Sequence, residues 1–161
     1  AKVLVIDDEA NLRKVLAALL RRDGFDVTVA MDGEQGLAEF HKNGADIVVT
    51  DLVMPKAGGM EVLRAVNAAN PDVPVIIITA HGTVDSAVEA IKAGAFDYVT
   101  KPFDQSELSA VIAKAAQAHA VAQRSVRADA KARAAIIGGW ALRSSLVARM
   151  RRSSARVACH S

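Results

Sequence analysis

Five side chains suited to metal or phosphate chemistry stand at the ends of short apolar runs in this 161-residue chain. Two carboxylates, Asp7 and Asp8, follow the first run, and a third, Asp51, follows a later one. Carboxylates that share one site repel one another and favour a bound cation, and their oxygen atoms suit Mg²⁺. Thr79 and Lys101 end two further runs and offer a hydrogen-bond donor and a positive charge to a phosphoryl group. These residue types therefore point to Mg²⁺-dependent phosphoryl chemistry.

These side chains meet only if the apolar runs are neighbouring parallel strands. Short β-branched runs predict strands at residues 3–6, 27–29, 47–49, 75–78 and 98–100. Segments with helical apolar spacing, such as residues 12–20, separate the runs. Five βα repeats with continuously apolar strands are typical of a parallel sheet covered by helices on both faces. Ligands of such sheets bind at the carboxyl ends of the strands, where all five side chains would lie.

Four longer strings of the sequence are similar to the receiver domains of two-component response regulators. They are VLVIDDE, IVVTDLVMPKAGGMEVL, VIIITAHG and AFDYVTKPF, and they stand in the order and at the spacing of that family. The resemblance covers residues 2 to about 120. It implies an α/β fold of the flavodoxin-like (βα)5 type, with a doubly wound parallel five-stranded sheet of order 2-1-3-4-5. It also implies a regulatory domain that catalyses only its own phosphorylation and dephosphorylation.

The resemblance assigns roles to the acidic residues. Asp51 would accept a phosphoryl group from a histidine kinase and form an acyl phosphate. Asp8 would be a direct Mg²⁺ ligand, and Asp7 would act mainly through a bound water. Asp51 itself and the backbone carbonyl of Val53 would complete the protein's share of the metal site. Mg²⁺ is the cofactor that the resemblance implies.

Three further residues would respond to the phosphoryl group. Thr79 would donate to a phosphoryl oxygen and Lys101 would pair with it, and the Lys101–Pro102 peptide is expected to be cis. Tyr98 would follow Thr79 inward and act as the switch. Its movement would change the surface formed by the fourth helix, the fifth strand and the fifth helix. We expect the chain to form a homodimer through that surface.

The loop after Asp51 contains the dipeptide Gly58–Gly59 behind Met54–Pro55. Glycine is the residue that most readily adopts positive φ in tight turns. The simplest interpretation of Gly58–Gly59 is therefore a turn in which glycine permits positive φ.

Two other classes of protein stay open at this point. Haloacid dehalogenase-like phosphatases also place an aspartate nucleophile at a strand end with Mg²⁺ and a lysine. Their motif is Asp-x-Asp-x-Thr on the first strand, whereas this chain has Ile-Asp-Asp-Glu there. The other class is a stand-alone receiver or interaction module that acts through protein–protein contacts. Trapping with BeF₃⁻ and Mg²⁺ distinguishes a phosphate-responsive receiver from a phosphorylation-independent module.

The charge of the chain changes sign near residue 120. Residues 1–122 hold 11 Lys and Arg against 17 Asp and Glu, whereas residues 123–161 hold 9 against 1. An apolar stripe from Leu108 to Val126 predicts that the last helix extends beyond a compact receiver. We therefore predict a receiver domain at residues 1–120, a helical linker at 121–137 and a basic tail at 138–161. That tail would be disordered or the truncated start of an output domain.

A few residues indicate what the output domain would be. Residues 135–138 resemble the opening of the ATPase domain in activators of the sigma-54 form of RNA polymerase, the nitrogen regulator-like subgroup. Transcription regulation is therefore the expected output. The chain contains no Gly-x-x-x-x-Gly-Lys-Ser/Thr phosphate loop, so it is not expected to be that ATPase itself. The acidic receiver is not expected to bind nucleic acid.

Apolar run lengths and cysteine content bear on location. The longest stretch without a charged residue is residues 73–84, which is too short to span a bilayer. The chain has a single cysteine, Cys159, and no signal-peptide pattern at its start. We therefore expect no membrane association and a cytoplasmic location.

Overall fold

Within residues 1–158, whose backbone the structure describes, five β-strands alternate with five α-helices. The structure is a computed structural model, and it describes side chains for residues 1–137. The strands are β1 (Lys2–Ile6), β2 (Asp26–Ala30), β3 (Ile47–Thr50), β4 (Val75–Thr79) and β5 (Asp97–Thr100). The helices are α1 (Ala10–Arg22), α2 (Gly33–Asn43), α3 (Gly59–Ala69), α4 (Val84–Lys92) and α5 (Gln105–Ala158).

The five strands form one parallel sheet of order β2-β1-β3-β4-β5, which confirms the predicted fold class and strand order. Val3 of β1 is in register with Val27 of β2 and with Ile47 of β3. On the other side, Ile77 of β4 is in register with Tyr98 of β5. Because every neighbouring pair is parallel, all five carboxyl ends lie along one edge of the sheet.

Two apolar clusters cover the two faces of the sheet, as the continuously apolar strands predict. Val3 and Val5 of β1 face one cluster, with apolar side chains of α1 and the first part of α5. Leu4 and Ile6 alternate with them and face the other cluster, which includes Leu63 of α3. Fully burying such a side chain contributes about 1.5–3 kcal/mol, so the clusters hold the strand ends in place.

The contacts divide the chain into a compact unit, Ala1–Ala122, and a second unit, Gln123–Ser161. The sequence predicts a disordered or truncated tail from residue 138, whereas α5 continues to Ala158. The side chains of residues 138–158 and all of residues 159–161 lie outside the described residues, so the predicted domain limits stay predictions. Among the residues described, no helix has an apolar stretch long enough to cross a membrane.

Two backbone features lie next to the strand ends. The Lys101–Pro102 peptide is cis, as the resemblance implies. The interpretation of Gly58–Gly59 as a positive-φ turn is wrong, because Gly58 has φ −78° and the positive φ values occur earlier, at Lys56 (60°) and Ala57 (131°). Gly59 is needed for space instead: a Cβ there would overlap the backbone oxygen of Asp51.

Candidate functional site

Backbone hydrogen bonds across the sheet position the candidate site. The amide of Asp51 donates to the carbonyl of Ile6 at 3.0 Å, and the amide of Asp7 donates to the carbonyl of Ala30 at 3.2 Å. The amide of Lys101 donates to the carbonyl of Thr79 at 2.9 Å. These bonds continue the parallel ladders one residue beyond the strands. Residues from β1, β3 and β5 are thereby brought to the same edge.

The side chain of Lys101 bridges two buried carboxylates. Its Nζ lies 2.9 Å from Oδ2 of Asp51 and 3.1 Å from Oδ2 of Asp7. Asp7 and Asp51 are 2% and 6% exposed. A buried carboxylate needs an opposite charge and further hydrogen bonds, because desolvation otherwise opposes its ionisation. The ammonium group supplies that charge to both.

Backbone amides supply the further hydrogen bonds. Oδ1 of Asp51 accepts from the amides of Leu52 at 2.6 Å and Val53 at 3.4 Å. Oδ1 of Asp7 accepts from the amide of Glu9 at 2.9 Å. These donors belong to the turns that follow β3 and β1, so the local chain path orients each carboxylate. The side chains are held in place before any ligand arrives.

Burial is the largest influence on the pKa values at the site. Burial raises the pKa of Asp7, against the opposing effects of the Glu9 amide and of Lys101. Burial lowers the pKa of Lys101, but hydrogen bonds to Asp51 and Asp7 outweigh it and the pKa is raised overall. Lys101 therefore stays protonated, while the carboxylate side of the site still favours additional positive charge.

The acidic cluster has the donor atoms of a divalent cation site. Asp7, Asp8 and Asp51 each offer a carboxylate oxygen, and these three oxygens lie within 4.8 Å of one another. Asp8 is exposed whereas the other two are buried, so the cluster is open on the Asp8 side. Hard oxygen donors of this kind suit Mg²⁺, which retains several waters and takes one or two carboxylates. The residues present therefore fit the cation that the sequence implies.

Thr79 and Tyr98 lie near the cluster but make other contacts. Thr79 is fully buried, and its Oγ1 accepts from the amide of His81 at 3.1 Å. Tyr98 is half-buried, with its hydroxyl 3.0 Å from Oγ of Ser86. Among the side chains described, neither hydroxyl is hydrogen-bonded to the three carboxylates. Of the predicted site side chains, Lys101 is therefore the one that is hydrogen-bonded to the carboxylates.

Arg13 is a contributor that the sequence analysis missed. Its Nη1 donates to the backbone carbonyl of Asp7 at 2.6 Å and so holds the turn between β1 and α1. Its position in the first turns of α1, six residues after Asp7, is the signal that could have indicated it. A helix that begins at Ala10 brings Arg13 back toward the end of β1.

Comparisons with known proteins place these features in a family. The family model for the response regulator receiver domain matches residues 3–113. The sensory transduction protein RegX3 of Mycolicibacterium smegmatis is 46% identical over 110 residues, covering 68% of this chain and 48% of that protein. The transcriptional regulatory protein ZraR of Escherichia coli is 40% identical over 120 residues, covering 74% of this chain and 27% of that protein. The chain therefore spans about half the length of these curated relatives, or less.

Solved structures show the same likeness in three dimensions. A response regulator receiver domain protein from Clostridium thermocellum has a TM-score of 0.69 and 42% identity, with 73% of this chain and 94% of that one covered. NtrX from Brucella abortus, solved with ATP, has a TM-score of 0.73 and 29% identity, with 78% and 29% covered. The likeness extends to a complete receiver domain in the first case and to a part of a longer chain in the second.

Proposed function

Because the chain belongs to the response regulator receiver domain family of two-component signal transduction, we propose that Asp51 accepts a phosphoryl group from a histidine kinase. The observation that carries the proposal is the convergence of the Asp7, Asp8 and Asp51 carboxylates with the Lys101 ammonium at one sheet edge. The haloacid dehalogenase-like alternative loses its support, because the family match covers residues 3–113.

The proposed reaction is a nucleophilic displacement at phosphorus. A carboxylate oxygen of Asp51 attacks, the P–N bond to the kinase imidazole breaks, and the leaving nitrogen takes a proton from solvent. The product is an acyl phosphate on Asp51. Water later hydrolyses it, which releases inorganic phosphate and restores the carboxylate. The protein performs little proton transfer itself, so positioning and charge stabilisation dominate. Lys101, already 2.9 Å from Asp51, can pair with the transferred group without moving far.

Mg²⁺ is the proposed cofactor. Asp8 would bind it directly, Asp7 mainly through water, and Asp51 and the carbonyl of Val53 would be further ligands. When bound, Mg²⁺ supplies positive charge that offsets the charge on the phosphoryl oxygens. The three closely spaced carboxylate oxygens support this assignment.

The proposed response runs through Thr79 and Tyr98. The Thr79 hydroxyl would turn to donate to a phosphoryl oxygen, and Tyr98 would move into the space beside it. This would alter the face formed by α4, β5 and α5. The helix α4 exposes apolar side chains at Val84, Val88 and Ile91, which supports a second copy of the chain as the partner.

The output is proposed to be transcription regulation by a longer protein, as the name of ZraR suggests for that relative. The sigma-54 activator subgroup is the proposed type, on the resemblance at residues 135–138. A cytoplasmic location agrees with that role. The receiver itself is proposed not to bind nucleic acid, because its excess of Asp and Glu over residues 1–122 repels phosphate groups.

Chemical phosphorylation tests the proposal directly. With acetyl phosphate and Mg²⁺, intact-mass analysis should find one labile adduct of a single phosphoryl group. Asp51→Asn should show none, and Asp46→Asn, at a half-buried carboxylate just before β3 and away from the cluster, should retain it. An adduct that persists in Asp51→Asn would exclude Asp51 as the acceptor. Lack of both an adduct and BeF₃⁻ binding would favour the phosphorylation-independent interaction module.

A further inference from the structure

The hydroxyl of Tyr98 is tied to the first turn of α4. It lies 3.0 Å from Oγ of Ser86, the third residue of that helix. Ser86 also forms the capping box of α4 with Thr83: each side chain bonds to the backbone amide of the other residue. The proposed switch residue therefore contacts the hydrogen bonds that begin α4.

The hydrogen-bond capacity of Ser86 favours one direction for this contact. A serine hydroxyl has one proton and two acceptor positions. The amide of Thr83 occupies one acceptor position at 2.9 Å, and the carbonyl of Thr83, 3.0 Å away, is in reach of the Ser86 proton. Either hydroxyl has the geometry to donate, and we take Tyr98 as the donor because this leaves the Ser86 proton for the Thr83 carbonyl. The hydroxyl of Thr83, 3.1 Å away, is then its only competitor among the described residues. We call this arrangement, with Tyr98 donating to Ser86, the tied position of Tyr98.

Gly82 provides the space for the tied position. A Cβ at residue 82 would lie 2.7 Å from the Tyr98 hydroxyl oxygen and 3.1 Å from Cε1 of the ring. Gly82 is exposed and does not have a φ in the left-handed region, so its backbone does not require glycine. Any larger residue would displace the end of the tyrosine ring. The requirement for glycine thus comes from Tyr98.

We propose that Ser86 and Gly82 are positioning residues that hold Tyr98 in the tied position and thereby lower the affinity of the site for a phosphoryl group. The inference rests on the proposed function, in which phosphorylation draws Tyr98 inward. The proposal takes the bond to Ser86 to be lost when Tyr98 moves inward, so the bond opposes that movement. By thermodynamic linkage, weakening this bond increases the fraction of binding-competent protein and the apparent affinity.

Two variants that act by different means test the proposal. Ser86→Ala removes the acceptor, and Gly82→Ala displaces the ring. Both should tighten binding of BeF₃⁻ at saturating Mg²⁺ by about two- to tenfold, the range expected for one neutral hydrogen bond. Tyr98 is the only tyrosine of the chain, so ¹³Cζ-tyrosine labelling gives one signal that reports its hydroxyl environment. That signal should shift in the same direction in both unliganded variants.

Two controls distinguish the effect of the Ser86–Tyr98 hydrogen bond from the effect of helix capping. Thr83→Ala removes both the cap acceptor for the Ser86 amide and the hydroxyl that competes with Tyr98 for Ser86, so it should lower thermal stability without tightening BeF₃⁻ binding. In a Tyr98→Phe background, which lacks the donor, Ser86→Ala should have no further effect on affinity. Equal tightening in Thr83→Ala, or full additivity with Tyr98→Phe, would overturn the proposal.

The remaining outcomes distinguish this inference from the proposed function. Unchanged BeF₃⁻ affinity and an unchanged tyrosine signal in Ser86→Ala and Gly82→Ala would overturn the role of the tie alone. Absence of BeF₃⁻ binding in the unmodified chain would instead contradict phosphate acceptance at Asp51.

Discussion

At the scale of single residues, the site contains more negative than positive charge. Lys101 contacts Asp7 and Asp51, whereas Asp8 forms no ion pair within residues 1–137. Three ionised carboxylates against one ammonium leave a formal charge of −2 in a site where two of the carboxylates are buried. Repulsion among the carboxylates thus lowers the stability of the unliganded protein, and binding of a cation relieves that repulsion.

Asp8→Ala tests this balance. Without Mg²⁺ the melting temperature should rise by about 2–4 °C, because one repelling charge is removed. MgCl₂ should raise the melting temperature of the unmodified chain further. In Asp8→Ala the same rise should require a higher Mg²⁺ concentration, because a proposed ligand is lost. Thermal unfolding in EDTA and across a MgCl₂ series measures both effects. Glu9→Ala is the matched control, since this neighbouring exposed carboxylate lies outside the cluster. If Asp8→Ala had the same Mg²⁺ dependence as the unmodified chain, the assignment of Asp8 as a Mg²⁺ ligand would be contradicted.

At the scale of elements, α3 begins directly behind the loop that carries Asp51. The amide of Gly59, the first residue of α3, donates to the carbonyl of Leu52 at 2.9 Å. This bond brings the start of the helix against the backbone of the loop, where a Cβ at residue 59 would lie 2.8 Å from Cα of Leu52. The orientation of Asp51 therefore depends on a close helix–loop contact that only glycine permits.

Gly59→Ala should disturb this contact. Because the overlapping atoms belong to backbone, the loop or the helix must shift, at a cost of about 1–3 kcal/mol of unfolding free energy. Phosphorylation by acetyl phosphate should slow as Asp51 moves relative to Lys101. Gly58→Ala is the matched control, because its Cβ would meet only the Leu52 carbonyl, at 3.2 Å. Denaturant unfolding and adduct formation over time measure both variants; equal behaviour would mean that the contact does not position Asp51.

At the scale of the whole molecule, the proposed response to phosphorylation is association of two chains. Ile91 is 50% exposed and belongs to α4, the helix that packs beside β5, where the Tyr98 movement would act. Val15 of α1 has nearly the same exposure, 52%, on a different helix. Single exposed apolar side chains are common on protein surfaces. Comparing substitutions at Ile91 and Val15 therefore distinguishes a specific interface from nonspecific hydrophobic association.

Ile91→Glu should abolish dimerisation because it places a charge in the proposed interface. Sedimentation velocity of residues 1–161 with Mg²⁺ and BeF₃⁻ should show dimer for the unmodified chain and monomer for this variant. BeF₃⁻ affinity measured at concentrations where the unmodified chain is monomeric should be the same for both. Val15→Glu should still dimerise. A dimer of Ile91→Glu, or loss of the dimer in both variants, would contradict the predicted interface.

Much of the fold follows from signals that are local in sequence. The continuously apolar segments before Asp7, Asp51 and Thr79 predicted parallel strands, because such strands are buried on both faces. Alternation of strands and helices predicted the sheet, and the resemblance supplied its order, which the structure confirms. The acidic cluster could also be predicted, since parallel strands bring their carboxyl ends to one edge.

Other features are decided by contacts between distant parts of the chain. Lys101 meets Asp7 across 94 positions, and the tie between Ser86 and Tyr98 depends on how α4 packs beside β5. The misinterpretation of Gly58–Gly59 has the same origin, because the need for Gly59 lies in its distance from the Asp51 backbone. Residue type and periodicity specify backbone conformation and burial over a few turns. The direction in which a particular hydroxyl, ammonium or guanidinium points is decided only when the helices pack on the sheet.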